Sequence, residues 1–297
     1  VSTFDNLVDD VLQTLHGYGV AQPRAAFLTA GVSASATQFT VGDATGFEQG
    51  VAEVDNEIVF IESVDYGNNV LTISPDGRGY YGTTAATHST DARVTMAPTW
   101  PRNRIASAIN EVVLGVYPTL FGVATTSFTF NPVNSAYEIP AVAERVLRVV
   151  ADTVGPSDEQ EVITRYSFNS VAQGSNFTTG NSITIEKGGF PGRSVYVTYS
   201  KQPTEITFGD DFTECGLAET AKRCIKYGVC SSLIAYMDSS RLPVDTAQAD
   251  ELDPSRNAIG TASKISAQLY QRYLVELDNE RKRQRAATPT PISVRTR

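Results

Sequence analysis

The chain has 297 residues, of which 41% are hydrophobic, 9% aromatic and 19% charged, enough apolar material for a genuine core in one large domain or two or three small ones. The net charge of −9 argues against a sequence-independent DNA-coating surface, and two histidines with three cysteines argue against a multi-histidine metal site or a disulfide scaffold. No apolar run of about 18 residues is present, and VSTFDNLVDD lacks the basic start of a secretory signal, so the composition points to an acidic, soluble, non-enzymatic protein without membrane or cofactor.

In chain order, the first expected element is a helix in which Phe4, Leu7, Val8, Val11, Leu12 and Leu15 recur at i, i+3, i+4, i+7, stopped by Gly17 and Gly19. Residues 28–97 change character. Alternating runs at 38–41, 58–61 and 70–73 are separated by turn formers and predict a small antiparallel β module. A second helix opens at Thr99-Trp100-Pro101 and runs through Ile105, Ile109 and Val113 to Val116. Residues 123–209 are again strand-like, at 127–130, 145–150, 182–185 and 194–199. A third helix is expected over 213–237 and a fourth over 261–287, separated by a polar, proline-containing linker at 239–260. The resulting expectation is an α+β protein with a four-helix core (1–27, 98–122 and 210–286). It carries two inserted antiparallel β modules (28–97 and 123–209) and an extended C-terminal tail (287–297).

Charge is distributed unevenly. Residues 1–62 hold nine acids against the single base Arg24, whereas the last 17 residues hold Arg281, Lys282, Arg283, Arg285, Arg295 and Arg297 and no acid. Without that end the body carries −15, from 18 bases and 33 acids. The cluster Arg281-Lys282-Arg283-Gln284-Arg285 reads either as cations matching the end of the last helix dipole, or as a tail that docks onto an acidic partner surface or contacts nucleic acid; Ile292 and Val294 add a short β-like segment that favours docking by strand addition.

Few residues suggest chemistry. Glu53, Asp55 and Glu57 occupy alternate positions, so a single strand would place all three on one face, read as a solvated acidic face rather than a calcium site or a glycosidase pair. The segment from Arg78 to His88 contains Gly79 and Gly82 but no Gly-Lys-Ser/Thr ending, and it reads as a turn rather than a phosphate loop. Cys215, Cys224 and Cys230 are spaced as buried small hydrophobes, and neither His16 nor His88 lies near a nucleophile-elbow pattern. Asn176-Phe177-Thr178 matches a glycosylation sequon, read as chance.

One stretch resembles a known family. The segments Thr40-Val41-Gly42-Asp43-Ala44-Thr45-Gly46-Phe47 and Val54-Asp55-Asn56-Glu57-Ile58-Val59 lead it. The run Arg78-Gly79-Tyr80-Tyr81-Gly82-Thr83-Thr84-Ala85-Ala86-Thr87-His88 follows, then Pro101-Arg102 with Arg104-Ile105, and Val116-Tyr117-Pro118-Thr119-Leu120-Phe121. Together they resemble the head-to-tail adaptor (connector) proteins in the necks of tailed bacteriophages, especially those of actinobacteria. The resemblance covers about a third of the chain. It implies a virion protein of the head–tail junction, made in the host bacterial cytoplasm, that closes a twelve-fold homo-oligomeric ring. Such a ring sits between the portal and a tail-side neck or tail-terminator protein and lets DNA pass without sequence-specific binding. Arg281, Lys282, Arg283, Arg285, Ile292, Val294, Arg295 and Arg297 would then form the portal-docking tail. Arg78, Gly79, Gly82, Thr83 and His88 would form the turn motif of the first β module. Candidate ring contacts are Tyr227, Tyr236, Tyr270 and Tyr273. The alternatives are another neck or tail component, such as a completion or tube protein, or a carbohydrate- or receptor-binding β module using Tyr66, Tyr80, Tyr81 and Tyr166.

Overall fold

In a computed structural model the described residues are 3–18, 23–154, 160–173, 177–239 and 261–288. Residues 240–260 of the expected linker, the tail residues 289–297 with Ile292, Val294, Arg295 and Arg297, Asn176 of the sequon and the side chain of Tyr236 lie outside them, while Ser239, expected to open that linker, ends a helix. The chain divides into two units, one of residues 5–109 and 229–266, the other of residues 1–4, 110–228 and 267–297. Four α-helices are described: α1 (Phe4–His16), α2 (Arg102–Gly115), α3 (Lys222–Ser239) and α4 (Thr261–Ala287).

The first unit is built on a curled, fully antiparallel sheet of β1 (Ala25–Phe27), β2 (Gln38–Thr40), β3 (Gly50–Val54), β4 (Glu57–Asp65), β5 (Val70–Ile73) and β6 (Arg93–Met96), in the order β1-β6-β3-β4-β5-β2. The edge strands β1 and β2 meet through the Leu28–Val41 bridge and the bonds Thr29 N–H to Thr40 O (2.9 Å) and Gly42 N–H to Phe27 O (3.0 Å). Closing the curl this way leaves little unpaired edge. Inside are Leu28, Phe39, Val41, Phe47, Val54, Val59, Ile61, Leu71, Ile73 and Val94, each 1% exposed or less. The alternation that marks these strands in the sequence is the alternation between this interior and solvent.

The second unit holds β7 (Gly122–Thr129), β8 (Tyr137–Glu138), β9 (Arg145–Asp152), β10 (Gln160–Val162), β11 (Arg165–Asn169), β12 (Ser182–Lys187) and β13 (Ser194–Lys201). They form a four-stranded sheet, β10-β9-β13-β7, and a three-stranded one, β11-β12-β8, over a shared core of Ile139, Val149, Ile183, Val195 and Val197. Phe128 stacks on Tyr137 at 4.0 Å between ring centroids.

The expectation of a four-helix core carrying β inserts is corrected. Sheets dominate the α+β architecture, and the curled six-stranded sheet encloses a hydrophobic core of its own. The four helices are spaced along the chain as the periodicity predicts, but periodicity shows that a helix has an apolar face and not that the face meets another helix. The helix expected over 213–237 also starts later. A 3-10 turn at Phe212–Cys215 ends at Gly216 with φ 90°, a second follows at Glu219–Ala221, and the α-helix begins at Lys222. Left-handed backbone at Gly216 cannot be carried inside an α-helix.

Candidate functional site

Glu53, Asp55 and Glu57 do not share a strand face. Glu53 pairs with Ile58 and Val54 with Glu57, so Asp55 and Asn56 are the two-residue turn of the β3–β4 hairpin, with Asp55 at φ 50°. The turn sends the carboxylates into different surroundings. Glu57 is 1% and Glu53 6% exposed, which replaces the solvated acidic face with two buried acids.

Glu57 sits at the centre of a charged cluster. It accepts from Arg78 Nε (2.7 Å) and Nη2 (2.9 Å), from the backbone N–H groups of Gly79 and Ala86 (2.9 Å each), and contacts His88 Nε2 at 2.9 Å. Burial opposes its charge, but these donors prevail and hold the carboxyl down at about 2. Arg78 uses its remaining N–H groups on the carbonyls of Ser33 (2.8 Å), Ala36 (2.8 Å) and Ala86 (2.6 Å), and its guanidinium lies 5.1 Å from the Phe39 ring centroid. The other nitrogen of His88, Nδ1, is 2.8 Å from Asp55 Oδ2. Burial disfavours the imidazolium, yet hydrogen bonds to Asp55 and Glu57 outweigh it and raise the His88 pKa. Arg78 and His88 thus face the carboxylates of Glu57 and Asp55, every Arg78 guanidinium N–H is used, and no buried polar side-chain atom among the described residues lacks a partner.

The motif from Arg78 to His88 takes its spacing from this cluster. Gly79 has φ 62°, and a Cβ there would stand 2.7 Å from the Thr83 carbonyl oxygen, so only glycine fits. Gly82 has φ 79°. The Thr83 hydroxyl accepts from Ile58 N–H at 3.0 Å and bonds the Tyr80 carbonyl at 3.0 Å, fastening the loop to β4. Arg78, Gly79 and His88 therefore meet at Glu57, the acid expected on a solvated face, while Thr83 and the left-handed Gly82 shape the loop that joins them. His88 is 4% exposed and saturated by carboxylates, an arrangement that clamps a loop and offers no reactive atom to a substrate.

A cleft of about 530 Å³ opens beside the hairpin, lined by Asp5, Asp9 and His16 of α1, by Glu53 and Asp55, and by Arg93, Trp100 and Arg102. Arg102 organises it. Its backbone N–H at the start of α2 donates to Glu53 Oε1 at 2.6 Å, its Nε donates to Asn56 at 2.7 Å, and its guanidinium pairs with Asp9 and with Asp5, the latter at 3.5 Å. Burial pushes Glu53 up to about 7, against the opposing effects of Arg102 and Arg93. Glu53 is a titratable acid at neutral pH, but one used to cap a helix. Among the described residues no group of three or more His, Cys, Asp or Glu could hold a metal ion.

No protein-family model matches the chain. No curated protein matches it either.

The remaining sequence candidates fall elsewhere. Arg281, Lys282, Arg283 and Arg285 lie in the last two turns of α4. Cys215, Cys224 and Cys230 are buried thiols that form no disulfide, and burial pushes Cys224 up to about 12. Tyr66, Tyr80 and Tyr81 belong to the first unit, where Tyr81 is 74% exposed with its ring 4.5 Å from that of Tyr80, whereas Tyr166 is half-buried in the second. Tyr273 packs against Gly228, where an added Cβ would stand 3.1 Å from the ring, and Tyr227 is half-buried; only Tyr270 of the described ring candidates is exposed. No helix among the described residues is long and apolar enough to cross a membrane.

Proposed function

We propose that the chain is a structural protein of a tailed-phage neck, a head-to-tail adaptor whose copies close a ring between portal and tail. The observation that carries this reading is the state of α4. It spans 27 residues, about 40 Å, yet among its described side chains only Leu269 and Glu280 are buried, while Tyr270, Leu274 and Val275 are exposed. A long helix with an apolar, aromatic-bearing patch in solvent is a surface suited to a neighbouring copy. The resemblance of residues 31–121 supplies the neck setting and the expectation of twelve copies, a portal below the capsid and a tail-side ring. The acid-rich composition of residues 1–62, nine acids against one base, suits a channel along which duplex DNA slides under like-charge repulsion.

The test is sedimentation and cryo-electron microscopy of the purified chain, alone and mixed with candidate portal assemblies. The expected product is a closed ring on the portal with a channel wide enough for duplex DNA, and Leu274→Asp with Val275→Asp should prevent its closure. A second reading rests on the adjacent Tyr80 and Tyr81 rings, which could stack on a sugar. A persistent monomer that binds saccharides, and loses them on Tyr81→Ala, would replace the adaptor reading.

A further inference from the structure

The C-terminal turns of α4 border a second cavity, of about 520 Å³, contained within the second unit. Its cationic wall is Arg145 at the start of β9 together with Arg281 and Arg285, four residues apart on α4, and Pro118, Thr119 and Phe121 complete the lining. Gln284 holds the helix in place: its Nε2 donates to the Phe121 carbonyl at 2.5 Å, and its Oε1 accepts from Phe121 N–H at 3.3 Å. The Thr288 hydroxyl is used internally, on the Gln284 carbonyl.

The pairing of charges on this helix is selective. Lys282 is matched by Asp278 at 2.6 Å and Arg283 by Glu280 at 3.2 Å. Arg145, Arg281 and Arg285 have no carboxylate at ion-pair distance among the described residues, and no acid lines the cavity. Asp278 feels Arg281 and Arg285 only at longer range, its carboxyl being held low chiefly by Lys282. The cleft of the first unit is the contrast, since there Arg93 and Arg102 face Asp5, Asp9, Glu53 and Asp55. In a chain with nine more acids than bases, three arginines lining one cavity with no acid in its lining stand against the overall charge balance.

The α4 carboxyl end contributes about half a negative charge, which opposes an anion but falls well short of three cations. Guanidinium forks match the oxygens of a phosphate in paired hydrogen bonds, and several cations favour a group of more than one negative charge or with more than two acceptor oxygens. The cavity is in the size range of small-molecule sites and larger than a phosphate needs. Pro118 and Phe121 present apolar surface for what the phosphate is attached to.

We propose that this cavity is a phosphate site for a nucleotide, either free or as one residue of a nucleic-acid strand, with Arg145, Arg281 and Arg285 holding the phosphate and Phe121 and Pro118 meeting the sugar or base. The proposal does not depend on ring formation, and it assigns Arg281 and Arg285 to a pocket rather than to a docking tail.

The test is calorimetric titration of the full chain with AMP, with a 12-nucleotide single-stranded DNA and with a glutamate-rich peptide, at physiological salt. Arg145→Gln and Arg281→Gln, on two different elements, should each weaken phosphate binding by about 10- to 100-fold, the loss of a charge-assisted hydrogen-bond pair. Lys282→Gln, one position away and already paired with Asp278, should leave binding within about twofold. Saturable AMP binding with no gain from the oligonucleotide identifies a free nucleotide. Tighter oligonucleotide binding that AMP displaces identifies the strand. The proposal fails if neither phosphate probe binds, if Lys282→Gln weakens binding as much as Arg281→Gln, or if the acidic peptide binds more tightly than both phosphate probes and is lost in the same variants.

Discussion

Replacing Glu57 by Gln should unfold the first unit far more readily while leaving its shape nearly unchanged. The amide keeps the volume of the carboxylate but removes its charge, and it turns one acceptor into a donor facing Arg78, Gly79, Ala86 and His88. Holding this carboxyl at about 2 rather than 4.5 corresponds to about 3 kcal/mol, and stranding a buried ionic partner typically costs about 3–5 kcal/mol. The two routes agree, so Glu57→Gln should lose about 3–5 kcal/mol. The only tryptophan, Trp100, lies in this unit and is 8% exposed, so its fluorescence in urea reports the unit's unfolding directly. The pH dependence gives a second check. The contribution of Glu57, whose folded pKa is lowered, is present above about 4.5 and is lost as pH falls towards 2. His88, whose folded pKa is raised, contributes fully below 6.5 and loses that contribution as pH rises through its folded value. The clamp should therefore be strongest between about 4.5 and 6.5. A loss below about 1 kcal/mol in Glu57→Gln, on the scale of an exposed pair, would refute the reasoning.

Glu53→Gln should behave oppositely, because a folded pKa raised to about 7 costs stability at higher pH. The gain should approach about 3 kcal/mol at pH 8 and vanish near pH 4, read from the same Trp100 transition at the two pH values. Gly79→Ala should cost about 1–3 kcal/mol from its left-handed φ alone, and more from the Thr83 carbonyl, whereas Gly82→Ala, with open space around it, should cost only the φ term; paired thermal melts separate them. Deleting residues 286–297 should leave the secondary structure by circular dichroism intact and weaken co-sedimentation with the portal. Undiminished attachment would remove the tail from the docking surface.

Much of the local structure was legible in the sequence because it depends on short-range periodicity. The stretch 261–287 reads as a helix and is one, and the runs at 38–41, 58–61, 70–73 and 194–199 all fall in or on strands. Glycine in the Arg78–His88 segment likewise pointed to a turn, since left-handed backbone is a local demand. What local pattern could not supply was the identity of partners. Alternating Glu53, Asp55 and Glu57 fit one strand face equally well, and only the pairing of β3 with β4 turned Asp55-Asn56 into a hairpin and buried the two outer acids. His88 and Arg78 are 31 and 21 residues from Glu57, and nothing in their spacing announced that all three share one desolvated cluster. The helical core failed for the same reason. An amphipathic stripe records that a face is buried, whereas the sheet closure through Leu28 and Val41, and the meeting of Arg145 with Arg281 and Arg285, arise from contacts between segments far apart in the chain.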